Sequence, residues 1–219
     1  MRTLFFILAL CFTSPALAQS MPWIVIGDSI VSYPQGGDPS DLPFSLIMEE
    51  RDVAFPSIAS PSAAMGSTGI SGFNSTWTTD TLDHICGYLS YCAGVVIQAG
   101  VNDFQLNNSW TAQQTSIRRV LDWAQARNKR VLMLDLVYNR DAEQGAPTNG
   151  AGLTFAGIRN ARFMECVARQ PRCVFALRPA NLNVLTSGFY QADGTHLTPA
   201  GRRAYATWVE SAASAAGLF

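Results

Sequence analysis

Three short segments of the sequence carry residue types that could perform nucleophilic catalysis. Gly27-Asp28-Ser29 places a hydroxyl directly after an apolar run. Asp193 lies three residues before His196, so on one turn its carboxylate could accept the Nδ1 proton and leave Nε2 free as a base. Asn102 follows a second apolar run, and an asparagine amide can donate a hydrogen bond to a developing oxyanion. The segments together contain a nucleophile, a base, an orienting acid and an oxyanion donor.

Each segment also has a plain structural explanation when it is considered alone. Gly-Asp-Ser and Gly100-x-Asn102-Asp103 consist of common turn residues, and the loop containing His196 leads into a helix cap. The sequence has two histidines, so a histidine base must be one of them. His84 lies in a helical pattern beside apolar residues, where a surface or packing role is favoured. His196 is therefore the candidate base.

The elements that must position these side chains alternate between strand and helix. Such alternation is typical of a mostly parallel sheet with helices on both faces. Ser29 and Asn102 both follow strands, which predicts both at the carboxyl edge of the sheet, where α/β folds bind ligands. The predicted strands are 24–26, 52–58, 94–99, 130–138 and 173–177, and the predicted helices are 44–50, 78–89, 109–127, 155–169 and one that begins at 198.

The composition of the chain argues against two classes of binding partner, nucleic acids and membranes. The formal net charge is −1 and 14% of the residues are charged, which argues against nucleic acid and against electrostatic membrane binding. After the N-terminus, no stretch is long and apolar enough for stable membrane insertion. The 219 residues suit one α/β domain with a full core.

The N-terminal residues are typical of a secretory signal peptide. Arg2 supplies a positive end, residues 4–12 are apolar, and Ala16-Leu17-Ala18 is an A-x-A cleavage site. We predict cleavage after Ala18, export to the periplasm or the medium, and a single domain over residues 19–219.

Cleavage would remove Cys11 and leave an even number of cysteines in a compartment that permits disulfides. Four cysteines allow three pairings, and proximity in sequence favours Cys86–Cys92 and Cys166–Cys173. A metal site is the rival interpretation. Neither pair has C-x-x-C spacing and histidine is scarce, so we predict two disulfides and no metal.

Taken together, these segments and a glycine-rich stretch resemble the four sequence blocks of the SGNH (GDSL-type) hydrolase family. They occur in family order and span nearly the whole chain after residue 18. The order Ser, Asp, His and the lack of a G-x-S-x-G motif separate the pattern from typical α/β-hydrolases. The four blocks are Gly27-Asp28-Ser29, Gly72, Gly100-x-Asn102-Asp103 and Asp193-x-x-His196.

The resemblance implies a flavodoxin-like three-layer α/β/α sandwich and a serine esterase that forms an acyl-enzyme. It assigns Ser29 as nucleophile, His196 as general base and then acid, and Asp193 as the residue that orients His196. It also implies an oxyanion hole made by the Ser29 N–H, the Gly72 N–H and the Asn102 side chain, with no metal or organic cofactor.

The second block is the loosest, because Gly66 or Gly69 could replace Gly72 as the oxyanion donor. We favour Gly72 because Gly-Ile-Ser-Gly, residues 69–72, is the stretch most similar to the family's version.

The resemblance leaves several functions open. The first is an exported esterase that removes short acyl groups, O-acetyl in particular, from a small molecule or a polysaccharide. The others are an acyltransferase that moves the group to a sugar hydroxyl, a lipid-directed acylhydrolase, and a carbohydrate-binding module on a degenerate hydrolase scaffold. The intact blocks disfavour the binding module.

The size of the acyl group is suggested by the segments that carry the candidate residues. None contains a long apolar insertion that could act as a lipase lid, so a short acyl pocket is expected. Trp77, Trp110 and Tyr190 lie near these segments in sequence. Their rings could stack on sugars or pack in the core, and both roles stay open at this stage.

Overall fold

The computed structural model describes most of the chain from residue 76 onward and one strand before it. Ser29, the stretch 59–72, the N-terminal residues 1–18 and the predicted elements at 44–50 and 52–58 lie outside the described residues. The described ranges are 23–27, 76–88, 92–98, 100–137, 139–140, 148–182 and 188–218.

Within these ranges strands and helices alternate, as the sequence pattern predicts. Most boundaries lie within two residues of the predicted ones. In chain order the elements are β1 (Trp23–Gly27), α1 (Thr76–Tyr88), β2 (Gly94–Gln98), α2 (Val101–Gln105), α3 (Trp110–Ala126), β3 (Arg130–Leu134), α4 (Phe155–Val167), β4 (Cys173–Ala176), a 3₁₀ turn (Ala180–Leu182) and α5 (Pro199–Ala215).

The four described strands form one parallel sheet in the order β1-β2-β3-β4. Their register is even: Gly27 at the end of β1 lies beside Gln98, and Leu134 at the end of β3 lies beside Ala176. The carboxyl ends of all four strands therefore meet at one edge. This edge is where the segments after β1 and β2 must begin.

The sheet carries an apolar layer on each face. Trp23 and Val25 belong to a cluster with side chains of α5, whereas Ile24 and Ile26 belong to a cluster with side chains of α3. Side chains of a strand point alternately to the two faces, and both faces here are buried, which explains the unbroken apolar run of β1. The predicted α/β class with a parallel sheet between helices is confirmed.

One predicted strand is shorter in the structure, and one short helix was not predicted. The strand predicted over 130–138 ends at Leu134 because the next residue, Asp135, accepts hydrogen bonds from the backbone N–H groups of Leu136 and Arg178. The turn residues that follow β2 form the short helix α2 instead, which begins after Gly100.

None of the described helices combines the length and the apolar character needed to cross a bilayer.

There are two disulfides among the described residues, and each links the end of a helix to the start of the strand that follows it. Cys86 in the last turn of α1 is bonded to Cys92, and Cys166 in the last turn of α4 is bonded to Cys173. The Cα atoms of each pair are 5.1 Å apart. These are the pairings that proximity in sequence favours, and both lie at the amino edge of the sheet, opposite the strands' carboxyl ends.

Each disulfide closes a short loop, so its removal is expected to cost about 2 kcal/mol of unfolding free energy on loop-entropy grounds. The double variant Cys166→Ala/Cys173→Ala should therefore melt roughly 4–8 °C below the wild type. Peptide mapping of the unreduced protein should recover the two pairs. Free thiols or a crossed pair such as Cys86–Cys166 would contradict the assignment.

Candidate active site

A tight turn between β4 and α5 contains an acid–base pair. Nδ1 of His196 lies 2.6 Å from Oδ2 of Asp193. The other carboxylate oxygen, Oδ1, accepts hydrogen bonds from the backbone N–H groups of Thr195 at 2.9 Å and His196 at 3.0 Å. The Asp193 side chain therefore fixes both the shape of the turn and the orientation of the imidazole.

The surroundings of Asp193 keep its carboxylate charged. Partial burial raises the pKa of a carboxyl group. Here hydrogen bonds from the Thr195 N–H, the His196 ring and the His196 N–H outweigh burial and lower the pKa of Asp193 below its usual value of 3.8. A neutral imidazole that donates Nδ1–H to this carboxylate keeps a lone pair on Nε2, which can accept a proton.

Backbone pairing closes the turn on both sides. Tyr190 and Leu197 form an antiparallel bridge, and the N–H of Gln191 donates to the carbonyl of His196 at 2.8 Å. Gly194 has φ of 71°, a conformation that a side chain would disfavour. The acid–base pair thus lies on a small hydrogen-bonded unit.

Helix α5 determines which edge of the sheet this turn occupies. Thr198 caps α5, its Oγ1 accepting from the Gly201 N–H at 3.1 Å. At the other end, the Arg130 side chain at the start of β3 donates to the carbonyls of Ala216 and Gly217. Since that end lies at the amino edge of the sheet, the start of α5 and the turn before it lie at the carboxyl edge.

Asn102 lies at the same edge, in the first turn of α2. Its neighbours Val101, Asp103 and Phe104 are buried, and the Phe104 ring packs edge-to-face on Phe155 with centroids 5.6 Å apart. Asn102 itself is half-buried. Its buried neighbours anchor the short helix and hold Asn102 at the carboxyl edge.

Gly100 makes the sharp bend between β2 and α2 possible. Its φ is 129°, and a Cβ there would lie 2.8 Å from Leu136 Cδ2 and would also contact the Arg162 guanidinium. Arg162 is fully buried and donates from Nη2 to the carbonyl of Leu134 at 3.3 Å. A buried arginine therefore lies beside the start of the segment that carries Asn102.

Several solved proteins, an esterase and a GDSL-like lipase among them, share this architecture. The psychrotrophic esterase EstA from Pseudoalteromonas sp. matches with a TM-score of 0.62 at 14% identity, over 89% of this chain and 97% of EstA. A GDSL-like lipase from Bacteroides thetaiotaomicron matches with a TM-score of 0.55 at 14% identity, over 90% of each chain. TesA matches with a TM-score of 0.62 at 19% identity, over 90% of this chain and 99% of TesA.

This chain has the SGNH (GDSL-type) hydrolase fold. At these identities the likeness establishes the fold. We found no protein-family model and no curated protein that matches the sequence.

The structure describes three of the sequence-predicted site residues and leaves the others outside the described ranges. Asn102, Asp193 and His196 lie at the carboxyl edge, and the last two are in contact. Ser29 follows β1 by two residues and, like Gly66, Gly69 and Gly72, lies outside the described residues. Within the described ranges, no group of three or more His, Cys, Asp or Glu side chains is placed to hold a metal ion.

The second histidine and the aromatic residues considered for sugar stacking can be compared with their positions in the structure. His84 is exposed on α1, which fits a surface role. Tyr190 is only 9% exposed and its hydroxyl donates to the Leu182 carbonyl at 2.7 Å, so it has the core role and not the sugar-stacking role. Trp110 is half-buried and packs against both apolar layers, and the Trp77 side chain lies outside the description.

Two buried polar residues near the site, Arg162 and Asn139, were not predicted from the sequence. Arg162 could have been found, because it falls on the buried stripe of α4 with Ile158 and Cys166, where an apolar residue is expected. Asn139 gives no such signal. It lies in a loop, where asparagine is common for reasons unrelated to function.

Proposed function

We propose that this chain is an exported serine ester hydrolase that uses Ser29, His196 and Asp193 as a catalytic triad. The observation that carries the proposal is the 2.6 Å hydrogen bond between His196 Nδ1 and the Asp193 carboxylate, in a fold shared with solved esterases and lipases. It supports the proposal because a serine esterase needs an imidazole held in one tautomer with Nε2 open.

The first step is attack on the ester. Ser29 is a weak nucleophile at neutral pH, so His196 Nε2 takes the hydroxyl proton as Oγ bonds to the carbonyl carbon. The resulting imidazolium is stabilised by the Asp193 carboxylate, whose lowered pKa keeps it charged.

The carbonyl oxygen gains negative charge during this step and needs hydrogen-bond donors. In the proposed mechanism these are the Asn102 side chain, the Ser29 N–H and the Gly72 N–H. Asn102 is suited to the task because α2 is anchored by buried neighbours and fixes the donor before the substrate arrives.

The tetrahedral intermediate then collapses. The bond between the carbonyl carbon and the alcohol oxygen breaks, and the alcohol leaves with the proton from His196 Nε2. Water repeats the sequence on the acyl-enzyme: His196 takes its proton, the acid is released, and the Ser29 hydroxyl is restored.

The proposed substrate is a short acyl ester, O-acetyl in particular, on a carbohydrate or polysaccharide. The lack of a long apolar insertion in the segments that carry the site supports a short acyl pocket. The N-terminal segment of residues 1–18 and the two disulfides support export to an oxidising compartment.

Ser29→Ala tests the nucleophile. We expect kcat on p-nitrophenyl acetate to fall to less than about a hundredth of the wild-type value, since removal of a triad member abolishes most of the rate enhancement. The circular dichroism spectrum should be unchanged. Ser211→Ala, which alters an exposed serine on α5, is the matched control and should keep wild-type kcat. Retention of more than that hundredth by Ser29→Ala would overturn the assignment.

Asn102→Ala tests the oxyanion donor. One lost donor should lower kcat by about 10²–10³ and change KM little, because the hydrogen bond strengthens as charge develops. Gln105→Ala, at an exposed position on the same helix, should leave both constants unchanged. A defect confined to KM would show that Asn102 binds the substrate instead.

A panel of acyl chain lengths tests the substrate class. We expect kcat/KM for acetyl esters to exceed that for octanoyl and decanoyl esters, and acetylated polysaccharide to release acetate. Samples with Ser29→Ala should release none. Faster cleavage of long chains would indicate a lipid-directed acylhydrolase. Recovery of acetate on an added sugar acceptor would indicate an acyltransferase.

A further inference from the structure

A buried asparagine contacts the turn that carries the acid–base pair. Asn139 is 1% exposed, and its side-chain Nδ2 donates to Thr195 Oγ1 at 3.0 Å. Thr195 is 7% exposed and lies between Asp193 and His196 in the turn. Its backbone N–H donates to Asp193 Oδ1, so one residue connects Asn139 to the carboxylate.

The next residue makes a second contact with the same turn. The N–H of Arg140 donates to the carbonyl of Gly194 at 3.2 Å. The Arg140 side chain packs against Gly194, where an added Cβ would lie 2.8 Å from Arg140 Cβ. Residues 139–140 therefore hold residues 194–195 through a side-chain bond and a backbone bond.

The contacts from residues 139–140 act on the position of the turn relative to the sheet, which the turn's own hydrogen bonds leave open. The bonds of Asp193 and Gln191 fix the internal shape of the turn, but they do not fix its position relative to the strands. Asn139 follows the end of β3 by five residues, so its bond to Thr195 ties the turn to the segment that leaves the centre of the sheet.

We infer that Asn139 is a positioning residue that holds the turn bearing His196 at the sheet edge, through the Thr195 hydroxyl. This inference rests on the proposed function, because the position of His196 matters for catalysis only if His196 is the general base. A displacement of about 1 Å in such a group can lower the rate by about 10²-fold. The buried bond therefore acts on the rate of acylation.

The test uses Asn139→Ala and Thr195→Val, each of which removes the bond, and Thr195→Ser, which keeps the hydroxyl. We expect kcat, and the rate of the p-nitrophenol burst that reports acylation, to fall about 10- to 100-fold in the first two. KM should change less than about twofold, since no substrate contact is lost. Thr195→Ser should restore kcat to near the wild-type value.

A matched control separates this role from a general loss of stability. Glu165 is a nearly buried side chain near the amino edge of the sheet, where it accepts hydrogen bonds from Arg118, Gln114 and Arg169. Glu165→Gln should lower the melting temperature, as Asn139→Ala should, and leave kcat unchanged. The double variant Asn139→Ala/Thr195→Val should be no slower than the slower single variant, because both remove the same bond.

The inference is overturned if Asn139→Ala and Thr195→Val keep kcat within about twofold of Glu165→Gln, or if Thr195→Ser is as slow as Thr195→Val. If Asn139→Ala does not fold, Thr195→Val decides, because valine has nearly the shape of threonine. His196→Ala is measured alongside. An active His196→Ala protein contradicts the proposed function itself, whereas an inactive one together with a fast Asn139→Ala contradicts only the positioning role.

Discussion

The even register of the parallel sheet is the constraint on which the rest of the structure depends. Because β1 to β4 run in the same direction and end together, every segment that leaves a strand begins at one edge. Burial of both faces requires helices on each side, and those helices must return the chain to the amino edge before the next strand. The candidate site at one edge and the connections at the other follow from this arrangement, and the two disulfides lie among the connections.

Two levels of hydrogen bonding then shape the site. Short-range bonds within residues 190–198 define the relation of Asp193 to His196. Longer-range contacts act on the position of these groups: the Asn139–Thr195 bond ties this turn to the segment after β3, and Phe155 of α4 packs on Phe104 of the helix that carries Asn102. A few consecutive residues are enough to form the short-range bonds, whereas the longer-range contacts form only when distant segments of the chain have folded together.

This division explains what could be predicted from the sequence. Apolar runs located most of the described strands and helices, and proximity in sequence identified the two disulfides, because these features depend on neighbouring residues. Asp193 and His196 could be paired for the same reason. Asn139 and Thr195 are 56 positions apart, and neither has a residue type that reveals the other. The short helix after Gly100 was not predicted either, and the packing of its Phe104 on Phe155 joins residues that are far apart in the sequence.

The short separation between Asp193 and His196 has a consequence for thermal motion. Both belong to one turn closed by its own hydrogen bonds, so backbone fluctuations carry them together and change the carboxylate-to-imidazole distance little. The distances that vary are those from the imidazole to groups on other strands. A displacement of the turn as a rigid body would therefore change the distance from His196 to groups on other strands and keep the carboxylate-to-imidazole distance, and the Asn139–Thr195 bond opposes that displacement.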